Sequence, residues 1–222
     1  MNLKWAFIFM IILLSVATNI RAATVTHFIG DVWIKSDKSW HRAEKGSPVI
    51  SGSVIKTGSR SLVIITETDG SIYKMYPDTS FTYRGDDAPS KSKTVLELLS
   101  GMIFIKFLKK DAASSFEIQH RTLVASVRGT LFYVAIKRKN IFRKDYWLCV
   151  KEGSVRVTEK DSGRAVTVDQ GKGILVKGAK ELTEPKSYDW TNKLNWNMDP
   201  ARGSVIEAEV LNNDDIVIPN AY

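Results

Sequence analysis

The sequence holds 222 residues, with 44% hydrophobic and 25% charged side chains, 1 cysteine and 3 histidines. That composition excludes a disordered or collagen-like chain, an intrachain disulfide and a cysteine-based zinc site. Lys and Arg number 32 against 24 Asp and Glu, a formal charge of +8, and that surplus suits an anionic partner.

Residues 1–22 read MNLKWAFIFMIILLSVATNIRA. Lys4 precedes an uncharged, mostly apolar run from Trp5 to Ala17, and small residues follow at Ala22 and Ala23. This is the pattern of a secretory signal peptide, with cleavage expected after Ala22. The alternative is an uncleaved anchor, for which the apolar run is short. No cysteine follows the run, so no lipoprotein anchor is expected. Cleavage removes Lys4 and Arg21 and no acid, so the charge falls from +8 to +6. The expected location is the periplasm or the extracellular space. There the basic surplus faces anionic envelope polymers and lipid headgroups, not nucleic acid.

From Thr24 to about Val176 the text is a series of short β-type runs. They begin with TVTHF, DVWIK, SVIKT and SLVIIT, continue through SIYKMY, SFTYR, TVLELL, MIFIKF, LFYVAIK and YWLCVK, and close with SVRVT, AVTV and ILVK. Val, Ile, Thr, Phe and Tyr dominate them, and Gly, Asp, Ser or Pro bound them. SVRVT and SIYKMY alternate, which predicts one buried and one wet face. SLVIIT is almost continuously apolar and predicts a strand covered on both faces. TVLELLSGM has some helical character, but Gly101 and its β-branched start favour a strand. Turns are marked at Thr68-Asp69-Gly70, Gly85-Asp86-Asp87, Asp161-Ser162-Gly163 and Gln170-Gly171-Lys172-Gly173.

After Val176 the pattern changes. The stretch SYDWTNKLNWNMD places Trp190 and Leu194 four apart, with Ser187 or Asp189 available as a cap. It predicts a short amphipathic helix. Trp190 and Trp196 are the residues expected to pack this extension onto the β region. The expected organisation is a signal segment over 1–22, a β domain over 24–176 and a C-terminal extension over 177–222.

Several motifs occur in order: GDVWIK, KGSPVISGSVIKTGSRS, TDGSIYKMYPDTSF, LLSGMIFIKF, ASVRGTLFYV, VKEGSVRV and VDQGKGILV. Together they resemble the FecR-type periplasmic domain. The most specific pieces are Arg128-Gly129-Thr130 with Phe132 and Val134, and Glu152-Gly153-Ser154-Val155. The resemblance implies an all-β domain, a twisted, β-helix-like or β-sandwich-like stack of short strands, and the residues after Val176 add the short helical C-terminal extension. It also implies a periplasmic receiver that binds a transporter's signalling domain and informs a membrane-bound anti-sigma segment. Nothing resembling a sigma-factor-binding region precedes the apolar run, so the exported binding domain by itself is the expectation. The residues themselves suggest fold-making roles. Gly129 permits a turn between strands, Thr130 can bond a local backbone group, and Phe132 and Val134 share a core face.

Candidate chemistry is sparse. His27, His41 and His120 lack metal-ligand spacing, so no metal or cofactor is expected. Cys149 lies in an apolar strand, where a thiol behaves as a small hydrophobe. No serine sits in a Gly-x-Ser-x-Gly elbow, and Asp86-Asp87 and Asp214-Asp215 read as solvated turn residues. No catalytic constellation emerges, and a non-enzymatic binding or scaffolding module is the expectation. Lys137, Arg138, Lys139, Arg143 and Lys144 surround Ile141 and Phe142. This stretch is either a solvated hairpin tip or a contact for an anion or membrane surface. The tryptophans are either one-sided core residues or exposed sugar-stacking platforms. An envelope protein is the expected partner, with an anionic wall or surface glycan as the alternative.

Overall fold

A computed structural model of the chain describes residues 23–85, 93–108, 114–138, 144–178 and 180–206. The signal segment with Ala22, the acidic pairs Asp86-Asp87 and Asp214-Asp215, and most of the basic stretch lie outside the described residues.

The described residues form an all-β structure. Its strands are β1 (Ala23–Ile29), β2 (Val32–Ser36), β3 (Ser39–Arg42), β4 (Pro48–Val49), β5 (Val54–Thr57) and β6 (Leu62–Thr66). Then come β7 (Ile72–Met75), β8 (Ser80–Gly85), β9 (Lys93–Phe107), β10 (Ser115–His120), β11 (Leu123–Val127) and β12 (Thr130–Arg138). The last are β13 (Lys144–Glu152), β14 (Ser154–Glu159), β15 (Ala165–Asp169), β16 (Gly173–Lys177) and β17 (Glu181–Leu182).

These strands make two packed sheets. The first runs β4–β1–β6–β7–β9–β12–β13–β16–β17. The second runs β3–β2–β5–β8–β9–β10–β11–β14–β15. Only β9 and β10 pair in parallel among the described residues; every other pairing is antiparallel.

The strand β9 belongs to both sheets. Its first half pairs with β8 and β10, and its second half with β7 and β12. The change of sheet comes at Gly101, whose φ is +89°. A Cβ there would lie 2.4 Å from the Thr79 Cα. The Thr79 hydroxyl meets the crossing strand, accepting from the Met102 amide at 2.9 Å. Glycine is needed here for both its backbone angle and its missing side chain. The TVLELLSGM run is therefore strand throughout, bent where the sequence carries its glycine.

The core between the sheets takes one face of each strand, including Val63, Ile65, Tyr73, Phe81, Leu96, Ile105, Phe116, Phe132, Val134 and Leu148. In the second sheet β14 alternates as expected, with Val155 and Val157 buried while Ser154 and Arg156 are exposed. The first sheet differs. Leu62, Ile64, Met102, Phe104, Leu131, Tyr133, Ala135, Trp147 and Cys149 point to its outer face and are buried there too. This second layer explains why SLVIIT is continuously apolar.

The cover is the C-terminal segment. The expected helix is present only as a 3-10 turn at Asp189–Lys193, with a second at Pro200–Arg202. Neither Ser187 nor Asp189 caps the first turn; Tyr188 takes the N-cap position without a side-chain bond. Asn195 and Asn197 instead accept from backbone amides two residues on, at 3.0 and 3.1 Å, which competes with helix formation. The segment lies as an extended strap. Trp190 packs edge-on to Trp147 at 5.8 Å between ring centres, and Trp196 edge-on to Phe104 at 5.2 Å. Both tryptophans do what the sequence predicts for them.

The alternation in SIYKMY misplaces one residue. Lys74 should lie on a wet face, yet it is fully buried beneath the strap. Its Nζ donates to the carbonyls of Asn195 at 2.6 Å, Asn197 at 2.7 Å and Val205 at 3.1 Å. The same nitrogen lies 4.3 Å from the Phe104 ring centre and 5.4 Å from that of Tyr76. An ammonium has three donors, and three strap carbonyls meet them. A buried charge is costly unless its hydrogen bonds are made, so Lys74 and the strap require each other. Lys74→Met keeps the stem and removes the charge. We expect it to lower unfolding free energy by roughly 2–4 kcal/mol in urea titrations and to open 187–206 to proteolysis. Wild-type stability and protection in the variant would show the contact to be dispensable.

Candidate functional site

The two outer faces of the sandwich differ. The first is covered by the strap. The second is open, and at one edge it carries aromatic and cationic side chains in register. Trp33 on β2 sits beside Arg42 on β3 and Lys56 on β5. Lys35 sits beside Trp40 and Val54. Trp33 and Trp40 are 40% and 42% exposed, unusual for the residue type that folding most gains by covering. The Arg42 guanidinium lies 5.7 Å from the Trp33 ring centre, and the Lys56 Nζ 4.8 Å from that of Trp40. Arg42 also pairs with Asp31. Cations over indole faces hold the rings in place without hiding them. All four residues of β3 are exposed, and its pairing is with β2 alone among the described residues.

A second constellation is internal. Gly129 (φ +63°) ends the turn between β11 and β12, and Gly153 (φ +81°) ends that between β13 and β14. The two turns touch. A Cβ on Gly153 would lie 2.8 Å from the Gly129 carbonyl oxygen and 2.7 Å from the Thr130 methyl. Leu131 and Glu152 are register partners across this junction. Phe132 and Val134 enter the core, while Glu152 remains exposed. Thr130 departs from its expected local bond: its hydroxyl is buried without a partner among the described residues, because its methyl is the group turned onto Gly153. Residues of two distant motifs thus form one packed corner.

Residues 53–156 match the family model described as FecR protein. This FecR-matched segment makes up a little under half of the chain. Two crystal structures of a "putative anti-sigma factor" from Parabacteroides distasonis ATCC 8503, at 1.65 and 2.50 Å resolution, are similar in fold. Each has a TM-score of 0.53 and 17% identity, over 64% of this chain and 63% of theirs. The chain thus spans less than two thirds of those structures. No curated protein matches. The packed corner at Gly129 and Gly153 lies inside the FecR segment, whereas Trp33 and Trp40 precede it and the strap follows it.

Within the FecR segment, the basic stretch is only partly described. Lys137 is exposed at the end of β12. Lys144 opens β13 and donates to the Leu99 carbonyl at 3.4 Å. Arg138 ends β12, and Lys139 and Arg143 lie outside the described residues, as do Lys109 and Lys110. Among the described residues no three metal-ligating side chains gather, and no helix is long and apolar enough to cross a membrane. His120 is buried, its Nδ1 2.7 Å from the Leu98 carbonyl. Burial lowers its pKa against the raising effect of that bond. Burial pushes the Cys149 thiol far up, away from reactive thiolate.

One carboxylate in the FecR segment is unusual and carries no motif. Glu67 is half-buried, and its Oε1 accepts from the hydroxyls of Tyr73, Tyr83 and Thr94, the last two at 3.2 Å. Loss of water raises its pKa, and the negative Asp69 adds to this; the three hydroxyls offset only part. A carboxyl with a raised pKa binds its proton more tightly folded than unfolded. Its favourable contribution is complete below the ordinary carboxylate value and is lost as pH rises through the raised one. Glu67→Gln keeps the acceptor and removes the titration. Melting temperatures from pH 4 to 8 should show the wild type losing ground to this variant as pH rises; a parallel pair of profiles would contradict the assignment.

Proposed function

We propose that the chain is an exported, non-enzymatic regulatory module of a bacterial envelope, directed there by residues 1–22 and released by cleavage after Ala22. It acts by contact with an envelope protein. The FecR match over residues 53–156 carries this reading, and the fold shared with a structure described as an anti-sigma factor supports it. The open face of β2, β3 and β5 is the contact surface. Tryptophan and arginine are the side chains that most often dominate protein interfaces, and here Trp33, Trp40 and Arg42 stand exposed and pre-positioned. Lys35 and Lys56 favour a partner with an acidic rim.

The same face supports a second reading. An indole with a neighbouring ammonium suits the apolar face and the carboxylate or phosphate of an anionic glycan, and the basic residues Lys137 and Lys144 would add to retention on such a polymer.

The two readings separate in one comparison of wild type with a Trp33→Ala/Trp40→Ala double variant. Both changes lie on an exposed face, so the fold should be nearly undisturbed. The protein-contact reading predicts that wild type captures a defined protein from envelope extracts and that the double variant does not. Equal capture by both would contradict it. Salt-sensitive retention of wild type on purified cell-wall sacculi, lost in the variant, would favour the glycan.

A further inference from the structure

The strap does not cover the whole outer face of the first sheet. One row across that face joins Thr66, Ile72, Lys106 and Leu131 in register. The next row, with Ile64, Lys74, Phe104 and Tyr133, is the one the strap seals. Between the open row and the strap runs a groove of about 460 Å3. Ile72 and Leu131 form its floor, and Trp196 and Met198 of the strap form its wall. That volume falls in the range of small-ligand sites.

Lys106 stands in this floor. It contrasts with Lys74, which lies on the same sheet face. Lys74 spends its donors on strap carbonyls, whereas Lys106 is half-buried and its ammonium has no hydrogen bond or ion pair among the described residues. The other polar groups of the groove have partners, though the Arg202 guanidinium at its rim meets its partner through Nε alone and is otherwise exposed. Arg202 pairs with Asp199 at 3.3 Å. The Thr26 hydroxyl donates to the Ile64 carbonyl at 3.3 Å and lies 3.0 Å from that of Thr66. Lys106 is thus the half-buried positive charge without a partner among the described residues, set beside an apolar floor and an indole.

We propose that this groove binds a small amphiphilic monoanion. Its carboxylate or phosphate head meets Lys106 in a charge-assisted hydrogen bond, and its apolar body lies between Ile72, Leu131 and Trp196. The site is independent of the protein-contact face, which is on the other sheet. Because one wall is the strap, an occupant joins strap to sheet, and by linkage it stabilises the closed arrangement.

The test uses the full chain and 8-anilinonaphthalene-1-sulfonate as a fluorescent amphiphilic anion, displaced by octanoate, octyl phosphate or octanol. At least one of the two anions should displace the probe well, identifying the head group, and octanol should do so poorly. Lys106→Gln should weaken displacement by that anion about tenfold and leave octanol unchanged, while Lys106→Arg retains affinity. Thr66→Trp, which narrows the groove without touching Lys106, should abolish probe binding at an unchanged melting temperature. Displacement by neither anion, equal displacement by octanol, or wild-type affinity in Lys106→Gln would overturn the proposal.

Discussion

The buried ammonium of Lys74 sets the terms for one whole side of this molecule. A charge removed from water has to be met by oriented polar groups or the fold does not hold it. The first sheet surrounds Lys74 with aromatic and aliphatic side chains on its outer face. The three acceptors come from a segment about 120 residues further along the chain, at Asn195, Asn197 and Val205. Their carbonyls are available because the segment is extended; in an α-helix they would bond within the helix. The same placement sets Trp190 and Trp196 over Trp147 and Phe104. Electrostatic need and apolar burial therefore select the same path for the strap.

This asymmetry divides the molecule into three zones. Under the strap lies a closed apolar layer that ends, at its margin, in the groove holding Lys106. The opposite sheet leaves its outer face to solvent and concentrates Trp33, Trp40, Arg42 and Lys56 at one edge. Between the sheets, the corner of Gly129, Thr130 and Gly153 packs the β11–β12 turn against the β13–β14 turn through backbone and methyl contacts. In our proposals this molecule meets a partner through the open face and an anionic ligand through the groove. Among the described residues it presents no gathered metal-ligating groups.

Much of the fold is legible in the residues because period and turn chemistry act locally. The alternation of β14, the double burial of β6 and the strand character of β9 all follow from nearest-neighbour pattern. The FecR resemblance likewise rests on short motifs that turns require. What could not be read depends on distant segments meeting. SIYKMY looks half-wet because lysine is polar, and nothing near it announces that residues 195–205 will saturate its charge. The groove is equally invisible, since Lys106 and Trp196 belong to one site only after folding. The Trp33 and Trp40 face sits between these cases: the aromatic and basic residues are plain in β2 and β3, but their exposure depends on which sheet face the strap leaves bare. Helical spacing of Trp190 and Leu194 misleads for a related reason, since Asn195 and Asn197 engage their own backbone.

The most direct test of this account is the chemical accessibility of Lys74. Reductive methylation of the native chain, read residue by residue by mass spectrometry, should leave Lys74 unmodified while Lys35 and Lys56 on the open face react. In a chain ending at Lys186, Lys74 should react as they do. Modification of Lys74 at the rate of Lys35 in the intact chain would contradict the claim that the strap is held by a buried charge.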